Sequence, residues 1–244
     1  MPNSKYTQTI VLRTADCDMF GTWRPSAILE VMQETAGIHS AQCGLPRNVM
    51  DEMGVAWVIS RTRVEMQRLA HAGESLTVET YPTPNRHMFF PRSHIFRDAS
   101  GEVIGSANSL WVLIDFESRA VVKRDDIAAM LPDNRDLKPA AGMPATVRPL
   151  SGETVTGEII PQFTDMDVNV HVNNTKYLDW CCNALGVSVM QSHCLMRFDV
   201  NYEAEIRPGT SIETGLTRQD NRFSFCGKAG DRHHFSIGGE LCPR

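Results

Sequence analysis

The chain has 244 residues, 42% of them hydrophobic and 22% charged, with a formal net charge of −5. That is enough apolar material for one large domain or two ordinary ones, and the acidic balance, with no glycine-rich phosphate loop, argues against a nucleic-acid or nucleotide partner. No apolar run approaches the roughly 18 residues of a membrane-spanning helix.

The first predicted strand is Gln8 to Thr14. Asp16-Cys17-Asp18-Met19-Phe20-Gly21 then leads to Trp23-Arg24-Pro25, and Pro25 suits the first turn of a helix. That helix carries Ile28, Val31, Met32, Thr35, Ala36 and His39 on one stripe and ends near Gly44-Leu45-Pro46. His39 on such a stripe reads as a packed histidine rather than a ligand. Four strands follow, over Ala56–Arg68, Ser75–Tyr81, Arg86–Asp98 and Val103–Phe116, separated by Ala72-Gly73, Pro82 to Asn85 and Asp98 to Gly101.

Residues 118–153 read as a linker, with Pro132, Pro139, Pro144 and Pro149 and a short helical candidate near Asp125 to Met130. The order of elements then repeats. Thr154–Pro161 is a strand, Asn173 to about Val189 a helix, and Cys194–Ile206, Ser211–Arg218, Arg222–Lys228 and His233–Leu241 are strands. A long helix wrapped by an antiparallel sheet is a two-layer solution. Two copies give an α+β chain of two tandem hotdog units, spanning residues 1–117 and 154–244.

The repeat aligns by hand. Asp16 and Asp18 correspond to Asp165 and Asp167, 149 residues on, and Gly73-Glu74-Ser75 corresponds to Gly209-Thr210-Ser211, 136 residues on. In this alignment Asn169 falls opposite Phe20, His171 opposite Thr22 and Glu205 opposite Leu69. The first half keeps the scaffold without the reactive groups, so one active site per chain is expected, in the second half, with the first half free to shape a substrate pocket.

The densest chemistry lies in Asp165-Met166-Asp167-Val168-Asn169-Val170-His171-Val172-Asn173-Asn174. If the segment is extended, its alternation puts Asp165, Asp167, Asn169, His171 and Asn173 on one side. Asn173 or Asn174 suits the N-cap of the following helix, whose unpaired N–H groups favour developing negative charge. With Lys176-Tyr177, the segment resembles the signature of the acyl-acyl carrier protein thioesterases, D-x-D-x-N-x-H-V-N-N-x-x-Y. That family also carries Y-x-x-E, often followed by Cys. Here the match is Tyr202-Glu203-Ala204-Glu205, with Glu205 lying 34 residues beyond His171, and Ile206 stands where many relatives have Cys.

The resemblance implies a double hotdog and thioester hydrolysis of an acyl-acyl carrier protein to a free fatty acid, with no metal and no cofactor. Asp167, Asn169, His171 and Glu205 are the catalytic candidates. Asp167 and Glu205 would hold and activate water, and His171 would orient the network and pass a proton to the departing thiol, though the roles of His171 and Glu205 could be exchanged. Asn169 and an N–H of the Val172-Asn173-Asn174 turn would stabilise the oxyanion. Ile206 argues against a thiol nucleophile, and Cys181 and Cys182 read as core residues of the helix.

An acyl pocket in the first half would draw on Ile28, Met32, Trp57, Phe89, Phe90 and Trp111, each equally well explained as core. An acidic carrier protein would need a local basic patch; Arg61, Arg63 and Arg68, and Lys123-Arg124, are candidates, and solvated strand faces explain them as well. Met1 to Lys5 has no apolar stretch behind it, so no secretory signal is expected. The seven cysteines, without a C-x-x-C pair, are expected as reduced thiols in a cytoplasmic protein, monomeric or homodimeric. An acyl-coenzyme A thioesterase and a non-catalytic acyl-thioester sensor are the alternatives on the same fold.

Overall fold

Strands whose apolar residues alternate must bury one face, and a single amphipathic helix per half supplies the cover. The computed structural model describes residues 4–244; Met1, Pro2 and Asn3, part of the stretch read above for a secretory signal, lie outside the described residues. The chain divides into two compact units, Met1–Pro144 and Ala145–Arg244.

In the first unit, β1 (Tyr6–Val11) precedes α1 (Pro25–Gln42) and the short α2 (Arg47–Glu52). Strands β2 (Val55–Met66), β3 (Ser75–Pro82), β4 (Phe90–Arg97) and β5 (Val103–Asp115) follow. They form an antiparallel sheet in the order β1-β3-β4-β5-β2. Helix α1 packs on β1 and β3, burying Ile28, Leu29, Met32 and Ala36 with Leu76, Val78 and Phe96 from the strands. Trp23, fully buried just before α1, meets Phe96 edge-on at 5.3 Å between ring centroids. The predicted strand from Arg86 begins only at Phe90, because Arg86 and Phe89 exchange backbone hydrogen bonds in a tight turn with His87 at φ 55°.

The expected linker is not a uniform connector. Its first part folds into the first unit: β6 (Val121–Val122) pairs with β5, and α3 (Asp125–Met130) buries Ile127 among Leu45, Met50, Val55, Phe90 and Leu113. Further on, Asn108 Nδ2 donates to the Ala141 carbonyl and the Tyr81 hydroxyl to the Lys138 carbonyl. Its last part is tied to the second unit, where the Val147 and Leu150 N–H groups donate to Asn201 Oδ1 and Ser224 Oγ.

The second unit contains β7 (Thr154–Ile159), α4 (Lys176–Leu185), α5 (Val187–Ser192), β8 (His193–Tyr202), β9 (Ile212–Gln219), β10 (Arg222–Ala229) and β11 (Arg232–Pro243). Its strands are antiparallel in the order β8-β11-β10-β9-β7. One helix was expected from Asn173 to Val189, but Gly186 at φ 86° ends α4, and the chain restarts as α5. Tyr177, Leu178 and Cys181 of α4 are buried, and the Tyr177 ring stacks on Phe235 of β11 at 4.5 Å. Each unit is a helix wrapped by an antiparallel sheet, a hotdog.

One buried titratable group gives this fold an acid-sensitive point. His94 on β4 is 1% exposed, and its Nε2 lies 3.0 Å from the Met32 carbonyl of α1. Burial, helped by the nearby Arg92 charge, pushes its pKa down from 6.5 to about 3. Between those values the unfolded chain takes up a proton that the folded chain refuses. Stability is therefore full above about pH 6.5 and falls as the pH drops, by about 1.4 kcal/mol per pH unit from this group alone. Urea unfolding compared at pH 7 and pH 5 is expected to show a smaller loss of stability in His94→Gln than in the natural chain. Equal losses in both would contradict this account.

Candidate active site

The polar segment is not extended. Residues Phe163–Asp165 form one turn of 3-10 helix, and Met166 and Val172 then face each other as an antiparallel bridge. The chain between them reverses in a tight hairpin, closed by Asp167 N–H to the His171 carbonyl at 2.8 Å and Val170 N–H to the Asp167 carbonyl at 3.0 Å. The alternation of Val with polar residues therefore does not put five groups on one face, and that expectation is corrected. Gly21, at the matching place in the first half, was the available turn signal.

Asp167 gathers this hairpin from inside. Its Oδ1 accepts the N–H groups of Asn169 at 2.8 Å and His171 at 3.3 Å, and its Oδ2 accepts the Asn169 amide at 3.2 Å. Asp165 braces the entry, taking the Gln162 N–H on its side chain at 2.8 Å and the Asn173 N–H on its carbonyl at 2.8 Å.

The first half builds the same kind of loop with Phe20 and Thr22 in the places of Asn169 and His171. Asp18 Oδ1 accepts the Phe20 and Thr22 N–H groups, each at 3.0 Å, and Oδ2 accepts the Thr22 hydroxyl at 2.9 Å. Asp16 takes the Arg13 N–H on its side chain and the Arg24 N–H on its carbonyl. Cys17 and Trp23 form the matching bridge. Even the exit is duplicated, since Trp23 N–H donates to the Ala70 carbonyl as Val172 N–H does to that of Ile206. A carboxylate that accepts the same two backbone N–H groups in both loops is a structural part of the loop. One difference is informative: Gly21 sits at φ 72°, whereas its counterpart Val170 holds φ 60°. A β-branched residue in that left-handed region is strained.

His171 and Glu205 are what the second half adds. His171 Nε2 lies 3.4 Å from Glu205 Oε2, with side chains 21% and 34% exposed. Glu205 was expected on a strand, but β8 ends at Tyr202 and Glu205 follows a short irregular stretch in which Glu203 and Ala204 both donate to the His234 carbonyl. The Val172–Ile206 hydrogen bond holds this stretch beside the hairpin.

Helix α4 begins at Lys176 with Thr175 as its N-cap residue, and Asn173 supports that turn by accepting the Thr175 N–H and hydroxyl, both at 3.0 Å. Of the three N–H groups expected for an oxyanion, those of Val172 and Asn173 are engaged by carbonyls. Among the described residues, no acceptor meets the N–H of Asn174.

The remaining candidates divide by environment. Trp57, Phe90 and Trp111 line a cavity of about 220 Å³ in the first unit. Ile28 and Met32 do not line it, being core residues at 0% and 4% exposure, and Phe89 belongs to the tight turn before β4. Arg92, which the sequence reading passed over, does line it; its signal was a lone arginine in the mostly apolar stretch from Met88 to Phe96. Arg63, Arg68, Lys123 and Arg124 pair with Glu65, with Glu74 and Asp98, with Asp125 and with Asp126 respectively. All seven cysteines are free thiols, and burial raises the Cys181 pKa well above its usual value. Among the described residues, no group of three or more His, Cys, Asp or Glu side chains is arranged to hold a metal ion.

Two family models match the chain in succession: the acyl-ACP thioesterase N-terminal domain over residues 3–131 and the C-terminal domain over residues 151–234. The chain belongs to the acyl-ACP thioesterase family. A dodecanoyl-[acyl-carrier-protein] hydrolase of Cinnamomum camphora is 26% identical over 204 residues, covering 78% of this chain and 53% of the relative. An oleoyl-acyl carrier protein thioesterase of Coriandrum sativum is 25% identical over 233 residues, covering 86% and 61%. The chain thus spans little more than half the length of such chloroplastic relatives.

Solved structures match it end to end. The crystal structure of an acyl-ACP thioesterase from Bacteroides thetaiotaomicron superposes with a TM-score of 0.88 at 21% identity, covering 98% of both chains. A 12:0-ACP thioesterase from Umbellularia californica gives 0.84 at 22% identity, covering 100% of this chain and 99% of that one. At these identities the likeness shows the shared fold.

The duplicated loop can be tested where it carries no chemistry. Asp18→Ala removes the acceptor for two backbone N–H groups and one hydroxyl, and is expected to cost about 1–3 kcal/mol of stability in urea unfolding. Unchanged stability would show that the carboxylate does not brace the loop.

Proposed function

We propose that this chain hydrolyses the thioester bond of an acyl-acyl carrier protein and releases a free fatty acid, so ending chain elongation. The observation that carries the reading is the His171–Glu205 pair, 3.4 Å apart, with His171 in the hairpin that leads into α4. The matching loop of the first half has Thr22 and Leu69 in those places. Family membership and the names of the relatives support the carrier-bound substrate.

Hydrolysis needs a base for water, donors for the oxyanion and a proton for the departing thiol. Glu205 is the base, because the Asp167 oxygens already accept three donors within the hairpin. Glu205 takes a proton as the water oxygen bonds to the thioester carbon. The carbonyl oxygen becomes an oxyanion, held by the Asn174 N–H and the Asn169 amide in the field of the helix terminus. The intermediate collapses with cleavage of the C–S bond, and the proton passes through His171 to the departing sulfur. Asp167 is a positioning residue, fixing the backbone of His171 and the amide of Asn169. No step calls for a metal or cofactor.

Among the described residues no helix is long and apolar enough to cross a membrane. A cytoplasmic site of action belongs to the same proposal and fits the seven free thiols, while the curated relatives named above are chloroplastic.

The test is free-acid release from acyl-acyl carrier protein thioesters of graded length, with the matching acyl-coenzyme A esters alongside. His171→Ala and Glu205→Ala are each expected to lower kcat by at least about a hundredfold while remaining folded. Release from neither carrier by the natural chain would overturn the hydrolytic reading. Full activity of Glu205→Ala would overturn the choice of base.

A further inference from the structure

Among the described residues, the charge that lines the cavity of the first unit has no counter-charge. Arg92 of β4 lines it and is only 7% exposed. Its polar contacts are neutral and fall on one nitrogen: Nη1 lies 3.0 Å from His39 Nδ1 and 3.3 Å from the Thr80 hydroxyl. Since a guanidinium can only donate, His39 Nδ1 is the acceptor and that ring is uncharged. The neighbouring Cys43 thiol is pushed up by burial and stays neutral near pH 7. His94 is held neutral as well. Among the described residues no carboxylate pairs with Arg92, and no further acceptor meets its Nε or Nη2.

Burial lowers the Arg92 pKa only to about 10, so the cation persists at neutral pH. A buried charge is costly unless paired, and arginine is almost never fully buried without a partner. A pocket for a plain hydrocarbon has no use for such a group. The other walls are apolar or weakly polar: Trp57, Phe90, Pro91 and Trp111 face the interior, while Gln33 and Gly37 of α1 are exposed residues that mark its rim. The volume of about 220 Å³ exceeds the roughly 150 Å³ of a cavity known to hold benzene, so an apolar stem of medium length fits.

We infer that this cavity binds an amphiphile with a carboxylate on a medium-length apolar stem, the carboxylate pairing with Arg92 and the stem lying against Trp57, Phe90 and Trp111. A carboxylate can take two parallel hydrogen bonds from a guanidinium, using the donors that the protein leaves open. The inference concerns the cavity as a binding site and does not depend on the hydrolytic reading. The carboxylate can arrive as a free acid or as the far end of a chain esterified at its other end.

The test is calorimetric titration of the full chain at pH 7 with octanoate, monomethyl suberate and 1-octanol, with tryptophan fluorescence as a second readout from Trp57 and Trp111. Octanoate or monomethyl suberate is expected to bind at least tenfold more tightly than 1-octanol; the tighter of the two identifies the source as free acid or esterified chain. In Arg92→Met the carboxylate probes are expected to lose at least tenfold while 1-octanol binding is kept. The inference is overturned if 1-octanol binds the natural chain as tightly as both carboxylates, if neither carboxylate binds saturably, or if Arg92→Met binds them unchanged. The comparison on the natural chain stands alone should Arg92→Met fail to fold.

Discussion

A carboxylate inside a hairpin is the contact on which the candidate site depends. A loop that reverses within a few residues leaves backbone N–H groups pointing inward, and these must find acceptors. Asp167 provides them, meeting Asn169 and His171 at once. It thereby fixes where the imidazole starts and where the Asn169 amide points. Asp18 does the same for Phe20 and Thr22. The duplication acts as an internal control, separating what the loop needs in order to exist from what has been added to it.

Four of the differences between the halves alter the loop's polar groups or its backbone. Thr22 becomes His171, Phe20 becomes Asn169, Leu69 becomes Glu205 and Gly21 becomes Val170. Three of these introduce reactive or polar groups, and the fourth introduces backbone strain beside them. The first unit differs in another way, with a long α1 and a cavity lined by Arg92. α1 has 18 residues against 10 for α4, which gives room for the Gln33, Ala36, Gly37 and Ser40 turns along that cavity.

Much of this was legible in the sequence because it rests on periodicity. The stripe of α1, the alternation of β3 and β9 and the repeat of element order are local patterns, and each lies within a few residues of its expected place. The candidate site residues stood out as a set because so many polar types recur in one short motif. Their arrangement was not. Alternation of Val with polar residues has the same period in a strand as in this hairpin, and the left-handed Val170 carries no glycine to announce the turn. Glu205 leaves its strand because Glu203 and Ala204 both bond the His234 carbonyl, a contact made across the sheet. Arg92 was illegible as an unpaired charge because pairing is a property of tertiary neighbours, whereas the paired Arg68 looks no different in sequence.

The central claim is that Asp167 holds the loop and Glu205 does the proton transfer. Asp167→Asn tests it most directly, since asparagine keeps the oxygen that accepts the Asn169 and His171 N–H groups but cannot act as a base. Measured on the acyl-acyl carrier protein that the natural chain hydrolyses fastest, kcat for Asp167→Asn is expected to stay within about tenfold of the natural value, with the same pH profile. A loss of a hundredfold or more in a folded Asp167→Asn, the size expected for removing a general base, would contradict the account and return the proton transfer to Asp167.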